Sequence, residues 1–209
     1  MSGLLDLLNS ATGEQLISGI ASETGQPHNK TADVLNMAMP LLLGAMKKNA
    51  TNPRGAEGLM SALSNKHNGN ILDDLGGLFS GGVNQDVVDD GEGILGHVLG
   101  NKQPLVENAL SQKSGLDAGT IAQILKLAAP IVMGFLGKQK TQNQVNNQDG
   151  LNALLASMLG GQPHKNQSLI SSLIDADGDG SVLDDVADMV IGSNKKKGGL
   201  GNLLGGLFK

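Results

Sequence analysis

Asp175, Asp177 and Asp179 alternate along the chain, Gly180 and Ser181 follow, and Asp184 and Asp185 close the stretch. Carboxylates at alternate loop positions can converge on one hard cation, which takes six to eight oxygen ligands. With Asp175 as position one, Gly180 falls at position six, where the tight turn is needed. Ser181 falls at position seven, where a backbone carbonyl ligates. The opening matches the EF-hand pattern, but position twelve is Val186 rather than Glu. The closing carboxylate must therefore come from Asp184 or Asp185, as in a shortened calcium loop. Ser181-Val-Leu-Asp184 also spells a capping box, and an earlier stretch, Asn70-Ile-Leu-Asp73-Asp74, keeps that cap. Capping thus explains the aspartate pair in both places. It does not explain Asp-x-Asp-x-Asp-Gly, because Ser64-Asn-Lys66-His-Asn68-Gly69 starts the earlier helix without it. No Lys or Arg lies between 166 and 194 to neutralise the acids. The expectation is a Ca²⁺ site, with Mg²⁺ as the competitor in a low-calcium cytoplasm.

Other reactive chemistry is sparse. The 209 residues contain no Cys, Trp or Tyr and three Phe. Disulfides, thiolate nucleophiles and iron–sulfur ligation are excluded, and stacking platforms for bases or sugars cannot be assembled. A net charge of −5 argues against a nucleic-acid footprint. His28, His67, His97 and His164 are scattered without metalloenzyme spacing. His97, in an apolar stretch, reads as a partly buried structural histidine. Asp86, Asp89, Asp90 and Glu92 read as a solvated acidic linker. There is no nucleophile elbow or phosphate loop, so no catalytic residue is assigned and the expected role is non-catalytic.

The elements that must carry these residues are helical, and they recur. Residues 3–48 align without a gap on 93–138: Gly25, Ala32, Leu35, Ala38, Pro40 and Gly44 match Gly115, Ala122, Leu125, Ala128, Pro130 and Gly134. Apolar residues at spacings of three and four predict helices throughout, as in Val34, Leu35, Ala38, Leu41 and Leu42. The expected organisation is a first helical module at 1–82, an acidic linker at 83–90, a second module at 91–192, and a Lys/Gly/Leu tail at 193–209. Stretches 76–82 and 139–148 read as loops. Gly25 and Gly115 read as helix stops with positive φ. Pro40 and Pro130 fall inside the central apolar helices and free the carbonyls of Asn36 and Lys126. Both positions are polar, so the freed carbonyls are expected to face water.

Gly93-Ile-Leu-Gly-His-Val-Leu-Gly100, Gly115-Leu-Asp117, Leu127-Ala-Ala-Pro-Ile-Val-Met-Gly134 and Asp177–Asp185 together resemble the YidB-like family of bacterial proteins of unknown function. The likeness covers most of 91–190, and 1–79 as a diverged copy. It implies an all-α fold with homeodomain-like helix packing, and it brings no activity, substrate or catalytic residue.

In the tail, Lys195–Lys197 precede a Gly/Leu stretch in which Leu204-Gly-Gly-Leu-Phe208 repeats Leu75-Gly-Gly-Leu-Phe79 letter for letter. A segment that fits a module-type groove therefore stands spare, ready to dock on its own chain or on a neighbour. The expected function is an interaction or self-assembly protein, with a homo-oligomer or protein partner and no nucleic acid. The alternatives are an enzyme using Asp and His groups, and a peripheral membrane protein held by the lysines and the tail. Without a basic region ahead of the first apolar stretch, the expected location is cytoplasmic.

Overall fold

The computed structural model describes residues 4–159. The described residues hold nine α-helices, two short 3-10 turns and no strand, so the chain is all-α. The first half contributes α1 (Leu4–Leu8), α2 (Ala11–Thr24), α3 (His28–Ala50), α4 (Pro53–Asn65) and α5 (Leu75–Phe79). The second contributes α6 (Gln85–Val98), α7 (Gln103–Ser114), α8 (Ala118–Gln142) and α9 (Gln148–Leu159).

Local signals set most of these boundaries. Ser10 caps α2 by accepting the Gly13 N–H, and Asp117 caps α8 by accepting the Thr120 N–H. Gly25 (φ 64°) and Gly115 (φ 72°) end α2 and α7 in the left-handed conformation. Residues 139–148 are a loop only in part. α8 runs on to Gln142, with Gln139 buried. Likewise Leu75–Phe79 is helical rather than loop, because Asp74 accepts the Gly77 N–H at 2.7 Å. Its neighbour Asp73 reaches Lys138 at 3.4 Å instead.

α3 and α8 are the core helices. Leu35, Met39, Leu42 and Leu43 from α3 and Ile121, Ile124, Leu125 and Leu136 from α8 are all fully buried. α8 has the length and apolarity of a membrane span, yet 72% of its most apolar window is covered by the rest of the fold. The two halves share this core. α9 packs on α3, α6 packs on α8, and α2 touches α8, so their apolar residues form one continuous cluster. The stretch read as an acidic linker is different in kind: 85–90 forms the first turns of α6, and Val88 packs against the core. Its acids alternate with apolar residues at helical spacing, which places Val88 inward and Asp86 and Asp89 outward.

Glycine permits the closest approaches. The carbonyl of Lys126, which Pro130 deprives of its helical donor, does not face open water. It lies against Gly91 of α6, where a Cβ would collide with it. The expected wet face is thus filled by a helix crossing, with the Lys126 ammonium reaching Glu92 at 3.1 Å. Further along α8, Gly137 gives room for the carbonyl of His67, and Gly134 for the side chain of Ile71.

These contacts separate glycines that packing requires from glycines it does not. Gly91→Ala and Gly137→Ala should each cost about 1–3 kcal/mol through overpacking against backbone. Gly58→Ala, where a Cβ meets nothing within 4 Å, should gain about 0.5–1 kcal/mol from helix propensity. Urea unfolding followed by far-UV circular dichroism measures all three. A Gly91→Ala midpoint equal to the parent's would contradict the backbone contact with Lys126.

Candidate functional site

Two places in the described residues bear on function, one an open groove and the other a seat already filled. The larger is a groove of about 1190 Å³ between α4 and α6. Its floor comes from Met46 of α3, Met133 of α8 and Ile94 of α6, all buried. Leu59 and Ala62 of α4 line one wall. Gly58 and Gly93 leave bare backbone on the two sides, since a Cβ at either meets nothing within 4 Å.

Both ends of the groove are tied. At one end the Asn49 side-chain amide donates to the carbonyls of His97 and Val98, each at 3.1 Å. Asn52 caps α4 there, accepting the N–H of Arg54. At the other end the Lys66 ammonium reaches the Asp90 carboxylate at 2.6 Å. The start of α4 therefore faces the end of α6, and the two helices run antiparallel across the groove. Charge follows the same axis. Arg54 and Lys48 line the first end, while Asp86, Asp89 and Asp90 line the second.

His67 lies at the acidic end, 7% exposed, with Nε2 3.7 Å from Asp90. Its backbone N–H donates to Ala62 at the close of α4, and its carbonyl rests on Gly137. The segment is thus held from two sides. Burial lowers the imidazole pKa below its ordinary value near 6.5; Asp90 opposes that shift and Lys66 adds to it. The neutral ring is the form that suits the fold.

The second place is the seat of α5 on α2. Leu75 is buried, and the Phe79 ring covers Gly19, where a Cβ would collide with it. The sequence Leu-Gly-Gly-Leu-Phe thus occupies a defined apolar site whose shape depends on the missing side chain at Gly19.

The acidic-loop residues Asp175, Asp177, Asp179, Ser181, Asp184 and Asp185 lie outside the described residues, as do His164 and the tail at 193–209. Among the described residues no group of three His, Cys, Asp or Glu side chains is placed to hold a metal ion. His97 is exposed rather than partly buried: it lies at the Asn49 end of the groove, with Nδ1 2.7 Å from the Gly93 carbonyl. His28 pairs with Glu14 at 3.0 Å on the surface. Among the described histidines, His67 is the buried one. Nothing local in the sequence marks it, because Asp90 and Gly137 bury it from far along the chain.

Because the folded protein disfavours protonated His67, the unfolded chain binds the proton more readily below pH 6.5. Stability should therefore be level above that pH and fall as pH drops from about 6.5 through the lowered folded pKa. His67→Gln should flatten that part of the profile. Urea midpoints between pH 7.5 and 5.5 measure the effect, and an unchanged slope in the variant would remove the assignment.

A family profile described as a bacterial protein of unknown function, DUF937, matches residues 6–139. No curated protein and no solved structure matches the chain. The matched span takes in α3, nearly all of α8 and the whole groove, and the family agrees with the resemblance seen in the sequence. This chain belongs to the DUF937 family of bacterial proteins of unknown function.

Proposed function

We propose that this protein is a non-catalytic interaction protein that assembles with further copies of itself, with a Ca²⁺-binding loop at 175–185. The observation that carries the assembly reading is the seat on α2. Leu75-Gly-Gly-Leu-Phe79 fills a site shaped by Gly19, and residues 204–208 spell the same five letters. A second copy can therefore offer its 204–208 segment to the seat that 75–79 fills, an exchange of equivalent elements between chains. Apolar Leu and Phe flanked by glycine favour burial over exposure. The low aromatic content and net negative charge speak for a protein partner rather than a nucleic acid, and we infer a cytoplasmic setting.

Multi-angle light scattering on the full chain tests the assembly. The parent should show a multiple of the single-chain mass, and Leu204→Ser/Phe208→Ser should return it to one chain. A parent at the single-chain mass, or a variant that keeps the larger mass, would overturn the exchange.

Calcium is measured separately. Titration calorimetry should show heat on adding Ca²⁺, and the melting temperature should rise with Ca²⁺ and fall back with chelator. Asp177→Asn/Asp179→Asn should lose both signals. Absence of heat in the parent would end the metal proposal and leave the assembly proposal standing.

A further inference from the structure

The groove between α4 and α6 is separate from the α5 seat, and packing within the described residues does not fill it. Its apolar surface comes from the half-buried Leu59, Ala62 and Val98, which lie over the buried Met46 and Met133. Its walls approach bare backbone at Gly58 and Gly93. Interior helical glycine is unfavourable by roughly 1 kcal/mol relative to alanine, and neither position is required by a neighbour. What both do provide is close access to the helix backbone from the groove. The volume, about 1190 Å³, exceeds the roughly 300–1,000 Å³ of ordinary small-molecule pockets.

The order of charges selects the kind of occupant. Arg54, the chain's single arginine, lines one end near the start of α4. Asp86 and Asp89 line the other, beside an Asp90 that Lys66 already neutralises. We propose that the groove docks an amphipathic α-helix of a protein partner. That helix has an acidic first turn beside Arg54, an apolar stripe against Leu59, Ala62 and Val98, and a basic last turn beside Asp86 and Asp89. It runs parallel to α4 and antiparallel to α6. α4 is 13 residues long, about 20 Å at 1.5 Å per residue, so three to four turns of a partner fill the length. Acid at a helix start and base at its end also complement the helix dipole. The charge order the groove demands is therefore the order that stabilises a helix before it docks. This is the helix-in-groove mode, read through anchors at i, i+3, i+4 and i+7.

The test is a random 14-residue peptide display selected on the full chain, with counter-selection on Gly58→Leu/Gly93→Leu. A Cβ at either position meets nothing within 4 Å, so this variant should keep the parent's circular dichroism spectrum and show a urea midpoint at or above the parent's. The enriched peptides should carry apolar residues at helical spacing, Asp or Glu in the first turn, and Lys or Arg in the last. A synthetic peptide of the enriched sequence should bind the parent at least tenfold more tightly than its charge-reversed form. On Arg54→Glu/Asp86→Lys/Asp89→Lys that preference should invert. The proposal is overturned if no peptide distinguishes the parent from the double leucine variant, or if enriched peptides lack the charge order. It is equally overturned if the preference survives charge reversal, or if the enriched peptides match residues 195–208 of this chain.

Discussion

The constraint on which the arrangement depends is how closely main chain can approach α8. Gly91 brings α6 onto the carbonyl of Lys126, Gly137 admits the carbonyl of His67, and Gly134 admits Ile71. Each contact involves backbone or a branched side chain, so the geometry cannot slide without collision. Together they place α6 and the 66–72 segment on one helix. Lys66, His67 and Asp90 are neighbours because of it. The proline at 130 belongs to the same device. By removing one helical hydrogen bond, it leaves a carbonyl that a glycine Cα can lie against, a contact that recurs where helices cross closely.

Magnitudes support packing rather than charge as the cause. The Lys66–Asp90 pair is short and its carboxylate is mostly buried, but the lysine is 65% exposed, and solvent on that side holds such a pair to about 1 kcal/mol. Overpacking at a single glycine contact costs as much or more. The ion pair therefore marks where the groove ends and does little to hold it there. Asn49 plays the matching part at the far end, where one side-chain amide reaches two successive carbonyls. Between these ties the walls meet no partner from within the described residues, and so the groove persists as open volume.

What could be read from the sequence follows the range of the interactions involved. The left-handed glycines at 25 and 115 and the two buried proline-bearing helices were legible, because each depends on a few adjacent residues. The acidic stretch at 86–92 was not. Its charge suggested a linker, whereas Val88, Ile94 and Leu95 make it one face of a packed helix. The histidines divide in the same way. His97 sits among apolar letters yet points outward, while His67 sits among polar letters and is buried. Burial at 67 is created by a glycine 70 residues later, and no local pattern records that. The groove was unreadable for a related reason, since it belongs to the space between α4 and α6 rather than to either helix.

The docking of α9 on α3 has a consequence for how the chain comes off the ribosome. Gln148 donates to the carbonyl of Ala50, 98 residues upstream, so the partner of α3 is made long after α3 itself. At about 5–20 residues per second, roughly 5–20 seconds separate their synthesis. Through that interval the apolar face of α3 that α9 will cover has no native cover. A nascent chain carrying it is the form most open to chaperone capture, and to misassociation with the same face on a neighbouring chain.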